Sequence, residues 1–277
     1  MSKNNVTKTN WTATLLLAFG AVLILFPLYL TVVIALKTPQ EMAQSIWALP
    51  DKLHFENFAE AIRMTKFFGV LGRSLFITLS TVALTLITNS FVAYAIARNS
   101  HKRLYNALYY YFVSAMFVPF AIIMLPVVKQ TSLWNLDNQF GLILLYTVYG
   151  LAFNVFLYTA YIKSLPISLE EAAMIEGASR WQIFWKVIFP LLKPINATVT
   201  ILTSLWVWND FMLPLVILGG KEESATLPLV QYVFQSQFST NYNLGFASYL
   251  LALAPLVIIY LCAQKQFISG VTNGAIK

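Results

Sequence analysis

Residues 165–194 read LPISLEEAAMIEGASRWQIFWKVIFPLLKP, a polar and amphipathic island between two long apolar runs. Pro166 closes the preceding run, and Ser168 followed by Glu171 carries the signature of a capping box, which predicts a short helix starting at Ser168. Gly177 supplies the positive φ that ends such a helix. Ser179 with Gln182 repeats the cap signature, so a second helix follows after a sharp bend. On that second helix Trp181, Phe184, Trp185 and Ile188 recur at i, i+3, i+4 and i+7 and form one apolar stripe. Pro190 and Pro194 separate it from the next apolar run. Periodicity alone allows a surface segment that only rests on lipid headgroups.

The rest of the chain is membrane built around this island. With 58% hydrophobic and 10% charged residues and a mean hydropathy of +0.69, the 277-residue chain is too apolar for a soluble domain. The net charge of +7 comes from scattered basic residues that form no continuous face, which fits membrane orientation and not a nucleic-acid partner. The lone Cys262 excludes an intrachain disulfide and any C-x-x-C motif. No Walker A sequence, no Ser/His/Asp arrangement and no clustered metal ligands occur, and His54 and His101 lie in different loops. The expectation is a chain that is not an enzyme and holds no catalytic residue, metal or cofactor of its own.

Six apolar runs, at about 11–36, 75–97, 104–128, 140–162, 195–218 and 244–263, are each long enough to cross a ~30 Å hydrocarbon layer as a helix. The first is too long for a signal peptide and lacks a small-x-small cleavage site, so it reads as a retained span. Between the first two runs, Phe58, Ala61, Ile62 and Thr65 make a weak stripe that predicts a surface helix on the outer leaflet, and His54 reads as a solvated loop residue. Pro119 and Pro126 kink the third run, facing protein or a pore, or playing no role in transport. The fold expected is all-α integral membrane, with six transmembrane helices in a single domain, 1–277, and the island 165–194 joining spans 4 and 5. With both termini inside, the inner segments hold Lys3, Lys8, Arg98, Lys102, Arg103, Lys163, Arg180, Lys186, Lys193, Lys265 and Lys277, eleven of the eighteen basic residues.

The fifth run contains Trp206-Val207-Trp208-Asn209-Asp210-Phe211. An acid near the centre of a helix costs about 2.5 to 3.5 kcal/mol on insertion scales. Asp210 therefore faces the bundle or a water-filled path, either as a hydrogen-bond partner locking helices or as a substrate contact. Trp208 and Asn209 beside it suit sugars, whose C–H faces stack on aromatic rings while their hydroxyls seek amides and carboxylates.

Glu171-Ala172-Ala173, three residues, Gly177, nine residues and then Val187-Ile188-Phe189-Pro190 resemble the EAA loop of ABC-importer permeases. Val187 and Phe189 replace the aliphatic pair of that family's I-x-L-P, and Glu176 stands where sugar permeases usually carry Asp. Ala93–Arg98 is similar to the family's AYAxAR, Trp208–Phe211 to its W-N-[DE]-F, and Trp47–Pro50 and Leu227–Leu229 to two outer-loop motifs. The tail, with Gly270, Gly274, Ala275, Ile276 and Lys277, is similar to its terminal segment, whereas Arg73-Ser74 departs from its usual Asn-Ser. The resemblance is strongest to the maltose-type branch of carbohydrate permeases. It implies that the island is a cytoplasmic coupling helix seated in a groove on a separate ATPase subunit. In that role Ala172 and Ala173 permit close approach, Glu170 and Glu171 offer acceptors to basic groups, and Gly177 sets the bend, with Ala178 and Ser179 completing the set. It also implies Trp208, Asn209 and Asp210 on the substrate path. The partners implied are an ATPase pair that binds ATP, a second homologous permease subunit, an extracellular sugar-binding protein, a sugar, and the lipid of a bacterial inner or plasma membrane. Alternatives are a permease for another solute, such as a polyamine or phosphonate, and a multi-span membrane enzyme or passive structural component.

Overall fold

The structure, a computed structural model, describes residues 10–219, 224–237 and 241–275. Lys3, Lys8, Lys221, Ile276 and Lys277 lie outside the described residues. The helices are α1 (Trp11–Ala35), α2 (Pro39–Gln44), α3 (Glu56–Met64), α4 (Phe67–Arg98), α5 (Arg103–Ser114), α6 (Phe120–Leu133) and α7 (Gln139–Ser164), followed by α8 (Ser168–Ile175), α9 (Arg180–Ile183), α10 (Phe189–Leu191), α11 (Lys193–Asn209), α12 (Met212–Leu218), α13 (Leu227–Gln237) and α14 (Tyr242–Ala275). No strand occurs among the described residues. The chain forms two compact units, Met1–Phe67 with Gln231–Pro255 and Phe68–Val230 with Leu256–Lys277.

Of the apolar helices, α1, α4 and α7 are long enough to cross a membrane unbroken. The third expected span, 104–128, is broken: α5 runs into a 3-10 turn at Ala115–Phe117, and α6 leaves at 105° after Pro119. Proline has no N–H to continue the helix and holds its predecessor extended, so the break falls at Val118, which is extended at ψ 111°. Pro126 is carried inside α6. The fifth, 195–218, is also corrected. It starts at Lys193, at 75° to the helical segment Arg180–Leu191, and stops at Asn209; Asp210 is extended and α12 is a separate helix. The apolar part of the sixth, Tyr242–Ile258, belongs to the longer α14, whose helical backbone carries Gly270 and Gly274.

In the first unit the end of α1 is held by side chains from elsewhere. Asn57 Nδ2 donates to the Ala35 and Lys37 carbonyls at 2.9 Å each, and Asn243 Nδ2 donates to those of Ile34 and Lys37. These amides satisfy carbonyls that a helix terminus leaves open. The stripe on α3 does not lie on lipid as expected: Ala61 is buried with Ala35 and Ala247, flanked by Phe58. His54 is not simply solvated either; Nδ1 lies 2.5 Å from Glu56 Oε1 and Nε2 lies 3.7 Å from Glu41. Glu41 closes a capping box with Thr38, and the Thr38 N–H first, then the Asp51 N–H and His54, hold its carboxyl below the ordinary range.

In the second unit, α7 is the central element. Its inner face buries Leu142, Ile143 and Tyr146 with Val207 and Leu213, and, further along, Val155, Tyr158 and Ile162 with Ile96, Phe184 and Val199. Gly141 is required at the start of α7, because a Cβ there would lie 1.8 Å from the Leu136 carbonyl oxygen. Arg73-Ser74, which departs from the Asn-Ser pattern, binds the segment before α13. Ser74 Oγ accepts from the Leu227 N–H at 2.9 Å, and Arg73 Nε donates to the Ala225 carbonyl at 3.1 Å.

Candidate functional site

The island folds as helix, bend, helix. Gly177 has φ +83°, and a Cβ there would meet nothing within 4 Å, so its role is conformational. The bend carries both bonds of a Schellman motif, from the Gly177 N–H to the Met174 carbonyl and from the Ala178 N–H to the Ala173 carbonyl, each 3.0 Å. One residue later the expected Ser179–Gln182 box is complete, at 3.3 and 2.8 Å. The other box does not form. Ser168 is already the first helical residue, so the cap position falls on Ile167, which offers no side-chain acceptor.

Glu170 departs most from its expected role. Instead of facing a partner, its carboxylate is buried, taking Arg98 Nε at 2.5 Å on one oxygen and the Tyr94 hydroxyl at 2.6 Å on the other. Arg98 Nη2 also donates to the Leu165 carbonyl at 3.3 Å. The last turns of α4 thus grip α8 through a largely desolvated, charge-assisted pair. They grip the second helix as well, since the buried Phe184 ring meets Phe91 at 5.0 Å and Tyr94 at 5.3 Å. Ala173 and Ala178 pack inward, while Glu171, Ala172, Ile175 and Ser179 remain exposed.

The stripe on the second helix is also re-registered. Residues Phe184–Ile188 form a π-turn, and the buried set is Ile183, Phe184, Ile188 and Leu192, whereas Trp181 is exposed. Pro190 has no N–H to give the Lys186 carbonyl, and the wider turn accommodates that loss.

In the second unit, α7, α11 and the α5–α6 corner enclose a cleft of about 620 Å³, lined among others by Met116, Tyr149, Asn154, Thr203, Trp206 and Asp210. Asp210 sits at the break between α11 and α12. Its Oδ2 accepts from the Tyr146 hydroxyl at 2.9 Å and its Oδ1 from the Met212 N–H at 3.1 Å. The acid therefore ties α7 to the break while lining the cleft. Trp206, edge-on to Tyr146 at 5.2 Å, supplies the aromatic wall. Trp208 is buried away from the cleft lining, and Asn209 Nδ2 donates to the Leu205 carbonyl of its own helix at 2.7 Å. Trp206 and Asp210 both line the cleft although Asp210 lies past the end of α11. At Gly150, another lining residue, a Cβ would lie 3.0 Å from Asn154 Nδ2 and 3.5 Å from Asn89 Nδ2, so glycine keeps room beside two amides. Asn154, Tyr146 and Arg98 were not among the site residues expected from sequence, and Glu170, which was, has Arg98 of its own chain as its basic partner.

Residues 89–273 match the sequence model of the family described as binding-protein-dependent transport system inner membrane component. The chain is 40% identical, over 95% of both chains, to the multiple sugar-binding transport system permease protein MsmG of Streptococcus mutans. It is 35% identical, over 91% of both, to the probable starch degradation products transport system permease protein AmyC of Thermoanaerobacterium thermosulfurigenes. It is 32% identical, over 98% of both, to the melibiose/raffinose/stachyose import permease protein MelC of Bacillus subtilis. Among solved structures it resembles a chain from the crystal structure of a bacterial ABC transporter involved in the import of the acidic polysaccharide alginate. That similarity has a TM-score of 0.79 at 25% identity and covers 96% of this chain and 98% of the other.

Proposed function

Because this chain belongs to the binding-protein-dependent transport system inner-membrane components, we propose that it is the permease subunit through which an ABC importer passes a sugar or oligosaccharide into the cell. It is a transport component and not an enzyme, and membership implies an ATPase and a binding protein as partners. In this reading a second, homologous permease completes the pathway, both termini face the cytoplasm, and ATP is held by the partner ATPase pair. Glu171, Ala172 and Ser179 accompany the bend at Gly177 into the ATPase groove, with Ala173 and Ala178 packed behind them. Closure of the ATPases pushes the bent pair, and Arg98 with Phe91 and Tyr94 carries the push into α4, so that the cleft alternates between its two openings.

The observation that carries the choice of substrate is the cleft lining. Trp206 offers a ring face, and Asp210, Asn154 and Thr203 offer hydrogen-bonding groups around it, a combination that suits carbohydrate. The test is reconstitution of the assembled importer in vesicles with its binding protein, followed by ATP-dependent uptake of labelled oligosaccharides. Uptake of a sugar supports the reading. Stimulation of ATP hydrolysis by a non-sugar solute, with no response to any sugar, overturns it.

A further inference from the structure

We propose that the turn Ile46–Leu49 is a lipid anchor, inserted at the headgroup boundary on the membrane face where α1 ends. The turn is a built feature. Lys37 Nζ donates to the Ser45 carbonyl at 2.6 Å on one side of it, and Glu41 Oε1 accepts from the Asp51 N–H at 2.9 Å on the other. Between these two polar clasps the chain projects Ile46, Trp47 and Leu49, with Trp47 61% and Leu49 70% exposed.

The position of Trp47 identifies what covers these side chains. Its ring stacks on Phe26 at 5.6 Å and 20°, and the Tyr29 hydroxyl donates to its carbonyl at 2.9 Å. Phe26 and Tyr29 belong to the open flank of α1, which is buried only at Val33, Ile34 and Ala35. The loop thus folds back along a spanning helix and continues its exposed apolar surface. At about 1.5 Å per residue, Tyr29 lies roughly 27 Å along the helix from Trp11, close to the ~30 Å thickness of a hydrocarbon layer. Trp11 at one end and the Phe26, Tyr29 and Trp47 cluster at the other occupy the two places where aromatic belts sit. The last turn of α1 then rises out of lipid, and that is the part buried in its own unit.

The test uses the assembled transporter in phosphatidylcholine vesicles, with Cys262→Ser as background and a bimane probe attached at Leu49→Cys or, as the aqueous control, at Lys52→Cys. Because an interfacial face sits roughly 5–10 Å below the headgroup boundary, lipid brominated near the headgroup should quench the Leu49→Cys probe about twofold more than the control. Lipid brominated near the chain terminus should quench it less, and added binding protein should change nothing. Trp47→Glu should halve the quenching while Trp47→Tyr retains it; if Trp47→Glu fails to insert, the probe in the parental background still decides. Quenching equal to the Lys52→Cys control overturns the proposal. So does a probe that is shielded only when binding protein is added, which assigns the turn to a protein partner.

Discussion

Arg98→Gln removes the cation that holds Glu170 and leaves the carboxylate buried with Tyr94 as its remaining side-chain partner. Removing one member of a buried ion pair costs about 3–5 kcal/mol. The side-chain exposures here, 13% for Arg98 and 9% for Glu170, place this pair at the lower end. At ~1.4 kcal/mol per tenfold, a cost of about 3 kcal/mol raises the population with α8 detached from α4 roughly a hundredfold. Two measurements on the reconstituted importer follow from this. Hydrogen exchange of the α8 amides should accelerate, and ATP hydrolysis should lose its response to sugar-loaded binding protein while the ATPase subunits still copurify. Glu170→Gln, which keeps an acceptor for Tyr94, should show the same pattern more weakly. The double exchange Arg98→Glu with Glu170→Arg should recover part of the coupling. Wild-type exchange in α8 together with undiminished coupling in Arg98→Gln refutes the transmission through α4. Loss of ATPase binding in that variant also refutes it, because the pair would then serve docking alone.

Gly177→Pro fixes φ near −65° where the chain requires +83°; uptake should vanish while the protein still inserts, and normal sugar-stimulated ATP hydrolysis would contradict the role given to the bend. Asp210→Asn keeps one acceptor oxygen, enough for the Tyr146 hydroxyl while the Met212 N–H loses its partner, and should retain part of the transport. Asp210→Ala leaves the buried Tyr146 hydroxyl unpaired at a cost of about 1–3 kcal/mol and should lose most transport, and equal wild-type rates in both variants would remove both roles of the acid. The Glu41 carboxyl is depressed below its ordinary value of 4.5. Its stabilising effect is therefore complete above that value and is lost only as pH falls through the lower, folded-state value. Amide exchange at Thr38 and Asp51 should stay slow at pH 4.5 and rise in more acidic solution, whereas Glu41→Gln should exchange fast already at neutral pH; a rise in the native chain above the ordinary Glu value would count against the clasp.

Much of the island was legible because its signals are local. A glycine followed by Ser-x-x-Gln specifies a bend with both backbone ends satisfied, and the structure has that bend. α1 and α7 were equally plain, being long apolar runs with defined ends. The parts that were missed depend on partners distant in sequence or on competing short-range signals. Glu170 and Arg98 are 72 residues apart, so no local pattern distinguishes a partner-facing acid from a buried one. The π-turn at Phe184–Ile188 lies just before Pro190, and the buried set keeps Phe184 and Ile188 but takes Ile183 and Leu192 in place of Trp181 and the partly buried Trp185. The helix break at Asp210 was hidden by the apolar run around it, since the residue's cap-like bond to Met212 marks a helix start that hydropathy alone passes over.

The bend between α8 and α9 is held by its own residues: the N–H groups of Gly177, Ala178, Ser179 and Gln182 each find an acceptor between Ala173 and Gln182. An ATPase meeting this elbow meets a finished shape and need not freeze a loop to create one. Association should then proceed without the heat-capacity and ordering penalties of coupled folding, and the same contact can be made and released on every turnover cycle with little conformational cost.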